Sequence, residues 1–255
     1  MNENNKWRIY RKLEPGEFIV IGADTAAGGI DYCAAQFMSV TKRDVPMVYH
    51  SKELASDMTN ELIRIMNAIY FDTKIRPVIA YERNNGGVFE LERLRKYPSA
   101  LFDVYRTKTN TGTIRGTQES PKYGWDTNSA TRPAMLADLK DAIDNRLFMF
   151  YDEFTLREML SFVIVQTPTS WKPQAETGMH DDLVMALAIA WQLYQTESAN
   201  KPKGQVVTPE QPGQKPKAPY VDEDGNLVGA GLDEMMANAV KKTLQPRGRD
   251  WIYRP

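Results

Sequence analysis

Four acidic residues stand where predicted elements begin or end. Asp24 closes the apolar stretch EFIVIGAD and is followed by TAAGG; Glu82 closes RPVIAYE and is followed by RNNGG. Asp181 and Asp182 open the long apolar helical run near residue 190. Carboxylates are hard oxygen donors, suited to Mg2+ or Mn2+ rather than to softer metals. Two such ions about 3.5–4 Å apart can activate a water and stabilise the leaving oxygen of a phosphodiester. Three or four carboxylates would supply the charge to hold them. Without cations such a cluster repels itself, and at least one carboxyl should titrate high. Taken singly, each acid has an ordinary structural reading. Asp24 could be a turn or cap residue, Glu82 could pair with Arg83, and Asp181 and Asp182 sit where the helix macrodipole favours negative charge. The three features together, in an order that could bring them to one sheet edge, point to a site.

The elements that must position them can be read from periodicity. Residues 17–24 predict a buried strand, and Tyr32 to Val40 and Val45 to His50 two more, separated by the Gly28-Gly29 turn and the Lys42-Arg43-Asp44 loop. Three strands with short connections predict an antiparallel meander. From Asp57 to Phe71 the apolar residues recur at helical spacing, with Ser56 or Asp57 as cap. Arg76 to Glu82 is a strand, Gly86 to Lys96 a helix, and Leu101 to Tyr105 a short strand. Three antiparallel strands followed by helix, strand, helix, strand predict an α/β fold with a mixed sheet, its later strands parallel and flanked by helices. Beyond a polar loop (106–126), Thr127 to Asn145 is a helix, Leu147 to Tyr151 strand-like, and Asp152 to Leu160 a short helix. Phe162 to Gln166 is extended, 167–179 a turn-rich loop or hairpin, and His180 to Gln195 a strong helix. Met185, Leu187, Ile189 and Trp191 on it belong to the core.

Composition sets limits. Hydrophobic residues make up 42% and charged residues 25%, ordinary for a globular chain. The longest apolar run is too short to span a membrane, and the polar N-terminus lacks a secretion signal. The single cysteine, Cys33, rules out an internal disulfide and a cysteine-built zinc site, and it reads as buried and inert. A formal charge of −1, from 32 basic and 33 acidic residues, neither favours nor forbids nucleic acid, because a basic track and an acidic metal site would cancel. Residues 200–219 hold five prolines and four lysines and read as a linker. The expected organisation is a domain over 1–197, a Pro/Lys-rich linker over 198–219, and a tail over 220–255 with a turn at Asp224-Gly225-Asn226 and a short helix, Leu232 to Leu244.

Four ordered stretches resemble the nuclease domain of tailed-phage large terminase subunits: IGADTAAGG, YERNNGG, KYGWDTNSATRP and GMHDDLVMALAIAW. The resemblance covers about residues 7–196. It implies an RNase H-like fold, shared with Holliday-junction resolvases and retroviral integrases, and a metal-dependent endonuclease that cuts concatemeric viral DNA during packaging in the host cytoplasm. The implied site has Asp24 bridging two Mg2+ or Mn2+ ions, Glu82 and Asp182 each holding one, and Asp181 as a further ligand or just outside. The implied partners are DNA, the small terminase subunit, the portal and an ATPase domain. The chain departs from the family in lacking a phosphate loop of the form G-x-x-x-x-G-K-[ST], so it reads as an excised domain or a standalone nuclease.

Other residues carry weaker expectations. His180 could serve as a proton carrier beside the metals or could order its loop. Arg106, Lys108, Arg115, Lys122, Arg132 and Lys172 could track the phosphate backbone or simply be solvated. Tyr123 and Trp125 read better as packing anchors than as base-stacking platforms. Trp171 and Lys172 lie in a segment that could gate access. Three competing readings remain: an actin-like or sugar-kinase-like phosphotransferase, for which the second glycine-rich loop is missing; a non-catalytic DNA or portal docking module; and a junction resolvase.

Overall fold

The computed structural model describes residues 6–26, 31–84, 86–98, 100–107, 122–166, 171–175, 180–198, 220–221 and 227–228. Two units are distinguished, Met1–Gly204 and Gln205–Pro255. The first holds β1 (Trp7–Ile9), β2 (Ile19–Asp24), β3 (Cys33–Ser39), β4 (Asp44–Ser51), α1 (Ala55–Thr73), β5 (Val78–Tyr81), α2 (Gly87–Lys96) and β6 (Asp103–Val104). It continues through α3 (Thr131–Asp144), β7 (Met149–Phe150), α4 (Glu153–Leu160), β8 (Phe162–Gln166), β9 (Trp171–Ala175) and α5 (Asp182–Ser198). Of the second unit the description covers one antiparallel pair, β10 (Tyr220–Val221) and β11 (Leu227–Val228). The expected turn at 224–226 and helix at 232–244 lie outside the described residues.

Seven strands form one mixed sheet in the order β1-β4-β3-β2-β5-β6, with β7 also on β4. The meander β2-β3-β4 is antiparallel, whereas β5 runs parallel to β2 and β6 parallel to β5. These pairings match the expected switch from antiparallel to parallel. Two strands escape the sequence reading in whole or part. β1 lies in the stretch read as a polar N-terminus, and it pairs with β4 through Trp7↔Tyr49 and Ile9↔Met47. β7 takes the other end of the same edge, Asp44↔Met149 and Val45↔Phe150, and is shorter than expected. β8 and β9 pair antiparallel as a separate two-stranded sheet, so Trp171–Ala175 of the expected 167–179 loop or hairpin is a strand, and the rest of that stretch lies outside the described residues.

The sheet separates two apolar layers. Ile19, Ile21 and Ala23 of β2 pack with Leu62, Met66 and Ile69 of α1 and Leu91 and Leu94 of α2. Val20, on the opposite face as strand alternation requires, packs with α3 and α5. Helix α5 is buried on nearly all sides, from Leu183 to Trp191, which is why its sequence carries so little polar punctuation. It lies against β2, β3 and β5 and is covered by α3 and α4. Helix boundaries shift modestly from the sequence expectation. α1 starts at Ala55 after Leu54, without a side-chain cap, so neither Ser56 nor Asp57 plays that part. α3 starts at Thr131, because Asn128 accepts N–H bonds from Ala130 (2.9 Å) and Thr131 (3.0 Å) and forms a turn ahead of it. Among the described residues no helix is long and apolar enough to cross a membrane.

Candidate functional site

Strand alternation places the first two carboxylates. On β2, Val20, Gly22 and Asp24 share the face toward α5; on β5, Ala80 packs in that layer and Glu82 follows two residues on. The strands are parallel, in the register Ala23↔Tyr81, and the Glu82 N–H donates to the Ala23 carbonyl at 2.8 Å. Asp24 and Glu82 therefore emerge side by side at the carboxyl ends of adjacent strands, and both are nearly buried, at 6% and 5% exposure. Asn84 orients Glu82, donating from Nδ2 to its Oε1 (3.2 Å) and to the Thr127 carbonyl (2.9 Å). The glycine pair after it has a steric reason. Gly86 has φ of 92°, and a Cβ on Gly87 would stand 1.8 Å from the Glu82 carbonyl oxygen. Only glycines let α2 begin so close to the strand end.

The second pair of acids arrives on α5. The Asp181 carbonyl accepts from the Met185 N–H at 2.8 Å, so Asp181 stands at the mouth of the helix and Asp182 at its first residue. Two further residues fix that mouth. Glu158 on α4 accepts from the Leu183 N–H (2.9 Å) and the Val184 N–H (3.2 Å) through Oε2, satisfying two first-turn amides that have no helical partner. Burial outweighs those amides and pushes its carboxyl up to about 8. Gln36 on β3 donates to the Leu183 carbonyl (3.3 Å) and to Thr155 Oγ1 (2.8 Å). Thr155 in turn donates to Asp152 (2.7 Å), which also receives Arg8 Nη2 (3.0 Å) and the Tyr10 hydroxyl. A buried polar chain thus runs from β1 through α4 to the start of α5.

All four acids line one cleft of about 760 Å3. Asp31 and His180 also line it, Thr127, Asn128 and Ser129 come from the segment leading into α3, and Arg132 from its first turn. Burial first, then the charge and hydrogen bond of Glu82, then Asp182 and Asp181, hold the Asp24 carboxyl well above the usual carboxylate range. Asp182 is pushed up to about 6 by burial, Asp181 and Asp31, with His180 pulling the other way. The expectation that one carboxyl titrates high is met twice over. His180 Nδ1 lies 3.4 Å from Asp31 and 3.7 Å from Asp182, and its ring meets Tyr32 edge-on, with Tyr32 stacked on His50.

The donor set fits a hard cation chemically: every acid offers oxygen, and Asp24 Oδ1 and Asp182 Oδ2 are buried without a hydrogen-bond partner among the described residues. Such orphaned oxygens are costly unless something positive is to meet them. The acids nevertheless do not converge on one point, and no group of three His, Cys, Asp or Glu side chains among the described residues forms a metal cage. The reason is visible in their partners. Asp182 stands toward His180, and Asp181 forms an ion pair with Arg132.

The six basic residues expected along DNA separate. Arg132 lines the cleft. Arg106 and Lys122 are exposed and lie outside its lining, at the base of the polar loop, where Arg106 bridges to Tyr123 and the Thr107 N–H donates to the Lys122 carbonyl. Lys108 and Arg115 lie outside the described residues, and Lys172 is on β9. Trp125 is an anchor, as expected: its backbone N–H donates to the Tyr81 carbonyl, and its ring packs on the α5 layer. Tyr123 lies under the Arg95 guanidinium at 4.0 Å. Cys33 is fully buried. Asp31, Glu158 and Gln36 went unread. Asp31 follows Gly28-Gly29 in sequence without a pattern of its own, and the other two act through contacts more than 20 residues away in sequence.

No family model matches the sequence, and no curated protein matches it significantly. Solved structures do. The large terminase nuclease domain of Thermus phage P74-26 superposes with a TM-score of 0.56 at 16% identity, covering 76% of this chain and 88% of that one. The large terminase nuclease of thermophilic phage G20c, solved with bound magnesium, gives 0.55 at 14% identity, over 75% and 89%. The same G20c nuclease with bound cobalt gives 0.55 at 16%, over 75% and 89%. At these identities the likeness establishes the fold, which is RNase H-like.

Proposed function

We propose that this chain is a divalent-metal-dependent DNA endonuclease that cuts concatemeric viral DNA during genome packaging. The observation that carries the proposal is the meeting of Asp24, Glu82 and Asp182, from β2, the end of β5 and α5, in one cleft, with buried unpartnered oxygens on Asp24 and Asp182. The fold shared with phage terminase nucleases supports it, as does the G20c nuclease having been solved with magnesium and with cobalt. Asp24, Glu82 and Asp182 would hold two Mg2+ or Mn2+ ions, with Asp181 beside them. When bound, such ions supply the Lewis acidity and positive charge for attack of water on a phosphodiester.

The chain's own residues prepare that chemistry. Asn84 holds the Glu82 carboxylate in orientation, and Glu158 fixes the amides that set the direction of Asp182. His180, with Nδ1 3.4 Å from Asp31 and 3.7 Å from Asp182, would serve as a proton carrier beside the metals. Asn128 and Ser129 offer further polar groups in the cleft. In the packaging setting the partners would be the small terminase subunit, the portal and an ATPase domain, in the cytoplasm of an infected cell. Residues 1–197 would be the nuclease, 198–219 a linker, and 220–255 a tail that contacts the portal or DNA.

Supercoiled plasmid incubated with the protein in Mg2+, in Mn2+ and in EDTA tests the reading. Nicked and linear DNA in the metals and none in EDTA is the expected result. Folded protein that binds DNA yet cuts with neither metal would replace it with a non-catalytic docking module.

A further inference from the structure

Arg132 and Asp181 form an ion pair inside the cleft, and each is only partly accessible, with side-chain exposures of 24% and 29%. The arginine is held from behind. Its backbone N–H donates to the Asn128 carbonyl at 3.0 Å. Asn128 caps the turn beneath it, and Thr131 Oγ1 donates to the Asp126 carbonyl at 2.8 Å. A guanidinium offers five N–H donors in a rigid planar fork that matches the paired oxygens of a phosphate. In Arg132, Nη2 is engaged by Asp181, while Nε is buried without a partner among the described residues. A buried donor left unused beside an open polar cleft is unfavourable. It is explained if the fork is shaped for a ligand with more acceptor oxygens than one carboxylate presents. Five acids line the cleft, and Arg132 is the one lysine or arginine among its described lining residues, so it is the side-chain cation that an incoming phosphodiester would meet there.

Resting on the nuclease reading, we propose that Arg132 is the residue that grips the DNA phosphate at the cleavage site, and that Asp181 is its resting partner rather than a metal ligand. Carboxylate and phosphate compete for one fork, so arrival of DNA would release Asp181. The acids that hold metal would then be Asp24, Glu82 and Asp182.

The test uses the full chain and four variants, Arg132→Ala, Arg132→Lys, Asp181→Ala and Asp182→Ala, each checked for folding by its thermal transition. Mn2+ binding is read by electron paramagnetic resonance, binding of a labelled duplex in EDTA by anisotropy, and cleavage in Mn2+ by gel. Arg132→Ala should leave Mn2+ binding unchanged, lower the slope of log Kd against log salt by about 1, and slow cleavage roughly 10²-fold. Arg132→Lys should recover the salt slope but not the rate, since a point charge is no fork. Asp181→Ala should bind Mn2+ like the unaltered protein, bind duplex more tightly, and cut within about fivefold of it, the size expected of a partly exposed ion pair. Asp182→Ala should lose Mn2+ binding. Loss of Mn2+ binding in Asp181→Ala equal to that in Asp182→Ala would overturn the assignment, and so would an Arg132→Ala variant that binds and cuts normally. If the unaltered protein cuts no DNA, the nuclease reading fails. The EDTA binding of Arg132→Ala and Asp181→Ala then still decides the phosphate contact on its own.

Discussion

A Cβ on Gly22 would stand 2.2 Å from the Ala186 carbonyl oxygen and 2.3 Å from the Ala190 amide nitrogen. The backbones of β2 and α5 touch at that point, two residues before Asp24 and four after Asp182. The absence of a side chain at Gly22 therefore sets the distance between two elements that carry acids into the same cleft.

Gly22→Ala should push α5 off the sheet. Neither neighbour is a flexible side chain tip, so the backbone itself must move. The expected loss is about 3 kcal/mol of stability, as for an overpacked core, with cleavage falling further than stability because Asp24 and Asp182 separate. Urea denaturation and plasmid cleavage on the same samples measure both; unchanged stability would mean that β2 and α5 do not approach as described.

The Arg8–Asp152 pair gives a pH dependence with a definite sign. Burial alone would raise the Asp152 carboxyl, but Arg8, Tyr10 and Thr155 outweigh it and hold the group below its usual value. A carboxyl lowered in the folded state contributes stability above its unfolded value, near 3.9, and loses that contribution as pH falls through the folded value. Stability should therefore drop below about pH 4. In Asp152→Asn this part of the acid drop should be missing, and stability at neutral pH should be lower by about 3 kcal/mol, because Arg8 is left buried without its charge partner. Denaturation midpoints from pH 3 to pH 7 check both effects; parallel curves for the two proteins would contradict them.

Asp182→Asn should show the opposite balance. The Asp182 carboxyl is raised to about 6, so ionising it costs stability at pH above both its folded and unfolded values. In EDTA at neutral pH the variant should be more stable by roughly 1–3 kcal/mol, while DNA cleavage is lost. Thermal melts in EDTA that show the variant equal to or below the unaltered protein would argue against a self-repelling acidic cluster.

Asn84→Ala should act more mildly. It removes the side chain that orients Glu82 and ties it to the Thr127 carbonyl. A few-fold to roughly tenfold lower cleavage rate is expected, with stability lower by about 1 kcal/mol. Rates from a plasmid time course and a urea titration measure it, and an unchanged rate would show that Glu82 needs no such support.

Much of this arrangement is legible in the chain because it is local. EFIVIGAD and RPVIAYE carry their acids at strand ends, and the break from period-two to helical spacing after His50 announces the change from antiparallel meander to parallel crossover. The burial of α5 follows from its composition alone. What was not legible depends on contacts distant in sequence. Gly22 reads as an ordinary small strand residue until Ala186 is laid against it. Glu158 reads as one more surface acid of a short helix until the amides of Leu183 and Val184 arrive above it. The strand at Trp7–Ile9 is only three residues long and is defined by the edge of β4 that it joins. Arg132 was legible as a basic residue near a polar loop, but its pairing with Asp181 was not, and Arg106 and Lys122 were indistinguishable from it until the cleft was seen.

The most direct measurement is plasmid cleavage in Mg2+ and Mn2+ by the unaltered protein beside Asp24→Asn, with EDTA controls and matched thermal melts. Asp24 is nearly buried at the meeting of β2, β5 and α5, and its replacement leaves shape and volume nearly unchanged. Metal-dependent nicking and linearisation by the unaltered protein, reduced by about 10³-fold or more in a folded Asp24→Asn variant, is the result the account predicts. Equal cleavage by both proteins, or cleavage that persists in EDTA, would contradict it.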